Sequence, residues 1–319
     1  MTLSPELLTR NLLCPVVLAF VLGIVARVLR SDLSIPPAIQ SYLSIFLLMA
    51  IGLKGGVALR ATSFGDVALL LLVTVVAGLV TCASAYALGR IWLRDNRIEA
   101  GAIAAHFGSV SAVTFIAAQQ FAERSGATPE GVIVALVVAL EIPAILLGLT
   151  LAKRGEGLHW HNVREVLVGK TALLLIGGMS IGAIAGKERT AAVDQRYGRL
   201  FQGMLMLFML DMGMVAAAQW RHLGNGAVRL VTYGMLMPLV HGIFGTALGF
   251  WAGLSPAGAA VFGTMTASAS YIAAPASVRA SLPAANAGRR ITAALGITFP
   301  FNLALGIPIY FTFAAWLAA

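Results

Sequence analysis

The sequence predicts an all-α integral membrane protein that crosses the bilayer with ten helices. Hydrophobic residues make up 59% of the 319 residues and charged residues only 11%, whereas a soluble domain carries about 25% charged residues. The apolar stretches are about 20 residues long, which is the length that a helix needs to cross the hydrocarbon core. The sequence lacks the alternating segments of about ten residues that are typical of membrane β-barrels.

Ten apolar stretches are the candidate spans. They cover roughly residues 11–30, 38–59, 65–90, 98–121, 128–152, 166–185, 199–218, 227–251, 256–277 and 290–317. Punctuating segments such as "SDLSIPP", "RDNR", "KRGEGLHWHN" and "GKERTAAVDQRYGR" separate them. The first stretch has no small-residue cleavage site before Arg27, so it is interpreted as a retained span rather than a signal peptide. Cys14 and Cys82 both lie inside apolar stretches, which predicts neither a disulfide nor a metal site.

The basic residues predict the orientation of the chain. With loops on alternate sides, 14 of the 22 lysines and arginines fall on one side and eight on the other. Since basic residues collect in cytoplasmic loops, the first side is predicted to be cytoplasmic and both termini to face outward. Residues 187–199 are a basic segment on the predicted outer side and do not follow this rule. We expect the protein to lie in the cell inner membrane. We expect no nucleic-acid partner, because basic cytoplasmic loops account for the net charge of +9.

The two halves of the chain resemble each other. "IFLLMAIGLKGGVA" at 45–58 aligns with "LFMLDMGMVAAA" at 207–218, "GSVSAVT" at 108–114 aligns with "ASASYIA" at 267–273, and "EIP" at 141–143 aligns with "TFP" at 298–300. Three matches in order at an offset near 160 residues favour a duplication, although chance similarity of hydrophobic segments is the alternative. We predict a first repeat over 1–156 and a second over 157–319. Because each repeat holds five spans, the second must be inverted, as in many secondary transporters.

Polar residues interrupt the fourth and ninth spans, in "AAHFGSVSAVTF" at 104–115 and "ASASYIA" at 267–273. Non-helical backbone at membrane depth is tolerated only where it is buried in protein or lines a cavity. Inverted-repeat transporters bind their substrate at such broken helices. We therefore predict broken helices in spans 4 and 9, with a binding site formed by Gly108, Ser109, Ser111, Thr114, Ser268, Ser270 and Tyr271. The alternative is that the small residues only allow helices to pack closely.

Ionisable residues inside the spans are costly, so each needs a reason. Glu141 in "ALEIPAI" is predicted to be a sodium ligand or a proton-coupling group, unless it lies in water at the cytoplasmic end of its helix. Lys54 and Asp211 are predicted to form a buried pair, either between their two helices or across a subunit contact, with a structural role favoured over transport. His106 and His241 stand alone on apolar helices. Because no other metal-ligating residues are suitably spaced, they are interpreted as hydrogen-bonded packing groups.

Several segments together resemble the sodium-dependent bicarbonate transporter family. They are "IPPAIQSYLSIFLLMAIGLKGGVALR", "FGSVSAVTFIAA", "MLDMGMVAA", "PLVHGIFGTALG" and "SASYIAAPASVRASLPAAN". The resemblance implies ten helices in two inverted repeats. It implies a gate domain from spans 1, 2, 6 and 7 (about 11–60 and 166–220) and a core domain from spans 3–5 and 8–10 (about 65–152 and 227–317). It also implies a homotrimer that imports bicarbonate with sodium and is inhibited by a PII-like regulatory protein.

The resemblance also implies that the substrate lies where the two broken helices cross. Glu141 stands where the family has an aspartate, and it is expected to take part in sodium or proton coupling with Ser270 and Thr114. The chain departs from the family at both breaks: residues 108–114 differ from G-A-V-S-G-S-T, and Tyr271 replaces the aspartate of S-S-S-D. The leading prediction is sodium-coupled bicarbonate import.

The alternatives are a transporter of another small anion or carboxylate, coupled to sodium or protons, and a membrane sensor that transports nothing. An enzyme is not predicted, because the sequence has no nucleophile-elbow motif, no metal-ligating cluster and no nucleotide-binding glycine loop. No cofactor is expected apart from sodium as the coupling ion.

Overall fold

The structure, a computed structural model, describes residues 12–60, 64–153, 164, 167–224 and 226–319. These residues form helices joined by short connections, and the described chain contains no β-strand. Eight of its helical segments are long and apolar enough to cross a membrane, and Pro15–Val28 is a shorter apolar helix. The predicted all-α, multi-pass class is therefore confirmed. The predicted repeat boundary at 156/157 lies outside the described residues.

The helices follow the predicted spans closely. They are α1 (Pro15–Val28), α2 (Pro37–Leu59), α3 (Phe64–Ile91), α4 (Arg97–Gly108), α5 (Ala112–Arg124), α6 (Ile133–Ala152), α7 (Lys170–Gln219), α8 (Ala227–Trp251), α9 (Pro256–Thr266), α10 (Ala273–Ser281) and α11 (Ala287–Leu317). Proline begins α1, α2 and α9, where its missing N–H costs no helical hydrogen bond. Two wide π-helical turns, Thr292–Thr298 and Asn302–Gly306, interrupt α11.

The segment between the sixth and seventh spans differs from the prediction. Residues 186–199 were expected to form a loop because they are polar, but they continue the helical conformation from α7's first half into its second. Only Gly186 is non-helical, with φ of 73°, a conformation that glycine adopts without steric cost. Alanine, lysine, glutamate and arginine in this segment are strong helix formers. Their helix propensity explains why this polar segment is helical rather than a loop.

Glycines bring α1 and α2 against the two halves of α7. Gly52 of α2 faces the backbone of the first half, where an added Cβ would lie 3.1 Å from the Gly178 Cα. Gly213 of the second half faces the α1 backbone, where an added Cβ would lie 3.0 Å from the Ile24 amide nitrogen. Each helix of the α1–α2 pair thus packs closely on a different half of α7.

Helices α3, α4 and α6 form a second group of close contacts. Gly148 of α6 lies against Ala105 of α4, and Gly101 of α4 lies against Ala152 of α6. This pairing fixes an antiparallel register, so the carboxyl end of α4 lies level with the residues that follow Glu141. Helix α8 packs on α9, which in turn packs on α11.

Two ion pairs join the beginning of α4 to the beginning of α11. Arg289 pairs with Asp95, and Arg290 Nη1 lies 3.5 Å from Glu99 Oε2. The second carboxylate oxygen of Glu99 also accepts a hydrogen bond from the Asn286 amide at 2.7 Å. Burial raises the pKa of the Asp95 carboxyl above its ordinary value, while the neighbouring Arg289 opposes that rise. These contacts hold α11 beside the first interrupted helix.

Candidate functional site

The first predicted break is present between α4 and α5. Helix α4 ends at Gly108, and an added Cβ there would lie 2.8 Å from the Cys82 Cα, so only glycine allows this approach to α3. Ser109 and Ser111 have extended backbone. Ser111 then caps α5, because its hydroxyl accepts a hydrogen bond from the Thr114 amide at 3.2 Å. All of these residues are buried.

The second predicted break is present between α9 and α10. Helix α9 ends at Thr266, and α10 begins at Ala273. Ser268 Oγ donates to the Met265 carbonyl at 2.7 Å. Ser270 Oγ accepts from the Ala274 amide at 3.1 Å. Serine hydroxyls thus satisfy backbone groups that the interruption leaves without helical partners.

The two breaks are hydrogen-bonded to each other. The Ser111 amide donates to Ser268 Oγ at 2.8 Å. The Ser270 amide donates to the His106 carbonyl at 2.8 Å, and His106 Nδ1 lies 2.6 Å from the Ser270 carbonyl. Because a carbonyl oxygen only accepts, Nδ1 carries a proton. Nε2 is buried and has no partner among the described residues. The predicted serines therefore lie together, at a crossing that His106 bridges.

Four helix ends meet at this crossing, and their polarities are opposed. Helices α5 and α10 begin there, and helix amino termini carry partial positive charge. Helices α4 and α9 end there, and their last carbonyls carry partial negative charge. Asn302, in a π-helical turn of α11, donates to the Ala267 carbonyl at 2.9 Å. The crossing can thus favour an anion and a hard cation on different faces.

Glu141 lies close to the level of the crossing. Gly108 packs on Cys82, whose Sγ donates to the Ala144 carbonyl at 3.3 Å, and Ala144 is one helical turn from Glu141. The Glu141 side chain is only 1% exposed, and neither carboxyl oxygen has a hydrogen-bond partner among the described residues. The alternative that Glu141 lies in water at the end of its helix is therefore wrong. Pro143 interrupts the helical hydrogen bonds nearby, because it cannot donate to the Ala139 carbonyl.

Tyr271 lies between the crossing and a cavity of about 420 Å³. Its ring packs edge-on against Phe299, with 5.7 Å between the centroids. The Ser111 side chain approaches its buried hydroxyl, but not in hydrogen-bonding geometry. Helices α2, α7, α10 and α11 supply the other walls of the cavity, which include Gln40, Lys170 and Arg279. Tyr271 thus separates the buried serines from the cavity.

The predicted pair between Lys54 and Asp211 does not form within the chain. Asp211 is buried and accepts a hydrogen bond from Gln40 Nε2 at 2.5 Å. Lys54 is exposed and lies over the Phe201 ring, 5.8 Å from its centroid. The pair between the two helices of one chain is excluded because Lys54 lies 14 residues beyond Gln40 on α2, which is about 21 Å along the helix axis. A pair across a subunit contact stays a prediction.

The two histidines have different environments. His241 was interpreted as a packing group, and its Nε2 lies 2.8 Å from Ser84 Oγ, which joins α8 to α3. His106 received the same interpretation, and its ring is buried and hydrogen-bonded as expected, but it also contacts both breaks. Its contact with the second break was not predicted, because its partner, Ser270, is 164 residues away in the chain. Its position in the polar stretch that begins the first break was the available signal.

The fold and the crossing define a multi-pass helical membrane protein with a buried polar centre between two interrupted helices. The sequence profile of the Na⁺-dependent bicarbonate transporter superfamily matches residues 15–315. The chain therefore belongs to the Na⁺-dependent bicarbonate transporter superfamily, as its sequence segments predicted. This is a family of transporters and not a class of enzyme. No curated protein shows a significant sequence match to the chain.

Proposed function

We propose that the chain is a secondary active transporter that imports bicarbonate together with sodium. The crossing of the two breaks is the observation that carries this proposal. The amino termini of α5 and α10 suit the bicarbonate anion, with Gly108, Ser109 and Ser111 on one side of it and Ser268 and Tyr271 on the other. Such a site needs no formal charge from the protein, so the anion can leave it again.

Sodium is proposed to bind on the opposite face of the crossing. The last carbonyls of α4 and α9 and the hydroxyls of Thr114 and Ser270 are hard oxygen ligands, which suit this cation. The family has one aspartate at the position of Glu141 and another at the position of Tyr271. Since Tyr271 carries no charge, Glu141 is proposed to supply the negative charge near the sodium ion. A buried carboxylate without a hydrogen-bond partner is costly, and a bound cation would remove that cost.

The arrangement of the helices supports ten spans in two domains. Counting α4–α5 and α9–α10 as one span each and α7 as two gives ten. In the proposed division, α1, α2 and α7 form the gate, and α3–α6 with α8–α11 form the core. Helix α2 packs on the first half of α7, and α1 packs on the second half. Two inverted repeats would produce this pattern, because the first helix of each repeat would pack on the second helix of the other.

In the proposed orientation, the side that carries more basic residues is cytoplasmic. Lys170 and Arg279 belong to that side, so the cavity that they line would be cytoplasmic. Both termini would then face outward across the cell inner membrane. A homotrimer and inhibition by a PII-like protein remain proposals that rest on the family resemblance. Chemical crosslinking in membranes would test the first, and co-purification with a cytoplasmic PII-like protein the second.

Uptake of labelled bicarbonate into proteoliposomes, with and without an inward sodium gradient, tests the function. Saturable uptake that requires the gradient is expected. Ser270→Ala should weaken it, because this change removes the acceptor of the Ala274 amide in the first turn of α10. Ser180→Ala should not, because that exposed hydroxyl only bonds the Ile176 carbonyl of its own helix. Absence of uptake by folded wild-type protein would refute bicarbonate as the substrate.

A second candidate is an anion transporter coupled to protons through Glu141. The observation that favours it is the absence of a hydrogen-bond partner for either carboxyl oxygen, because a neutral carboxyl is the cheaper form in such an environment. Uptake driven by a pH gradient without sodium would support this candidate over sodium symport. Specific binding of an anion without any uptake would instead indicate a membrane sensor.

A further inference from the structure

The cavity beside Tyr271 has an unbalanced charge. Among the described residues that line it, the only charged side chains are Lys170 from α7 and Arg279 from α10. Neither forms an ion pair within the described chain. They stand on different walls, since Lys170 lies beside α2 and Arg279 lies in the last turn of α10. An anion in this cavity would meet cations from both sides and no carboxylate.

The two cations are positioned differently. Lys170 Nζ donates to Ser41 Oγ at 3.0 Å and to the Ser41 carbonyl at 3.3 Å, which fixes the ammonium group at the rim of the cavity. Arg279 is exposed and lies one turn beyond Pro275, and both residues line the cavity. Lys170 therefore offers a charge held by Ser41, and Arg279 a charge on a long, exposed side chain.

The nearest buried acid is shielded from the cavity. Asp211 lies behind Gln40, which lines the cavity and donates to the Asp211 carboxylate. Gln40 thus presents a neutral amide where a carboxylate would repel an anion. The general excess of basic residues on cytoplasmic surfaces explains why lysine and arginine occur at this end of the protein. It does not explain two cations around one cavity or the covering of the acid.

We propose that this cavity is a second anion site, which holds bicarbonate between Lys170 and Arg279 after it leaves the crossing and before it reaches the cytoplasm. The proposal rests on the function proposed above. Tyr271 lies between the two sites, next to Ser270 at the crossing and on the wall of the cavity. The second site would govern how bicarbonate binds from the cytoplasmic face, while the outer face would not depend on it.

Oriented membrane vesicles test this difference between the faces. The KM for labelled bicarbonate is measured in inside-out vesicles and in right-side-out vesicles for wild type, Lys170→Gln, Arg279→Gln and the double variant. The double variant is expected to raise KM at the cytoplasmic face about tenfold, the lower end of the range by which charged clefts concentrate ions. KM at the outer face should not change, and Lys170→Arg should keep the wild-type value at both faces.

Arg229→Gln is the matched control, because it removes a basic residue on the same predicted side that does not line the cavity. An unchanged KM at the cytoplasmic face in the double variant would overturn the second site but leave the proposed function standing. An equal rise of KM at both faces would also overturn it, since this would indicate general damage to transport. Absence of transport by the wild type would refute both proposals.

Discussion

Ser268→Ala removes the hydroxyl that joins the two breaks. Ser268 Oγ accepts the Ser111 amide at 2.8 Å, and both residues are at most 4% exposed. Alanine at this position would leave the Ser111 amide buried without an acceptor. An orphaned buried donor costs about 1–3 kcal/mol. If the crossing must form before bicarbonate binds, about 1.4 kcal/mol of that cost would weaken binding tenfold.

The measurement compares Ser268→Ala with Thr264→Val in α9, the helix that precedes the break. Thr264 is fully buried one turn earlier, and its hydroxyl donates only to the Ala260 carbonyl of α9. Thr264→Val therefore removes a hydroxyl of similar burial without orphaning an amide. We expect Ser268→Ala to lower the midpoint of thermal unfolding in detergent and to raise the KM of bicarbonate uptake, with Thr264→Val close to wild type. Equal unfolding midpoints and equal KM values for the two variants would refute the role of the hydrogen bond.

Three further predictions concern other parts of the site. Glu141→Gln should abolish coupling to the driving ion while Glu141→Asp retains it, which uptake with and without a sodium or pH gradient would measure; coupled uptake by Glu141→Gln would contradict the assignment. Gln202→Leu removes a hydrogen bond to Gln120 that joins α7 to α5 at the predicted outer end and is worth about 0.5–1.5 kcal/mol. Because this contact is expected to break before bicarbonate enters from outside, the variant should lower KM at the outer face about two- to tenfold in right-side-out vesicles. An unchanged KM would contradict this role of the contact. Gly108→Ala should cost about 1–3 kcal/mol by overpacking against α3. Gly177→Ala, which meets nothing within 4 Å, is its control in thermal unfolding, and similar midpoints for the two would disprove the close approach.

The helix breaks could be predicted from the sequence because their signal is local. Glycine and several hydroxyl residues in a span of otherwise apolar character are costly in lipid unless the backbone is interrupted there. The same reasoning found the serines but not their partners. The bond between Ser111 and Ser268 joins residues 157 positions apart, and no local pattern encodes which hydroxyl meets which amide.

Contacts of the ionisable residues were harder to predict than the fold. Lys54 and Asp211 seemed suited to each other because of their charges and similar depth, yet the axial register of α2 brings Gln40 to Asp211 instead. Register depends on small contacts such as Gly52 against α7. The assumption of similar depth was the error, because Lys54 and the actual partner Gln40 are about 21 Å apart along α2. The polar segment 186–199 was misassigned for a different reason, since its helix propensity outweighed its polarity.

The two ends of the proposed transport path differ in a way that inverted repeats make informative. Two such repeats related by a two-fold axis would make the inner and outer mouths equivalent. At one mouth there is a cavity of about 420 Å³ between α7 and α10, with Lys170 and Arg279 on its walls. At the other end of the second half of α7, Gln202 bonds to Gln120 of α5, and Gln120 in turn donates to Glu123 at 2.9 Å. A cavity that reaches Tyr271 at one mouth, and a contact between α5 and α7 at the other, is an asymmetry that alternating access requires. In the orientation proposed above, this arrangement corresponds to a cytoplasm-facing state, and we expect the Gln120–Gln202 contact to break when bicarbonate enters from outside.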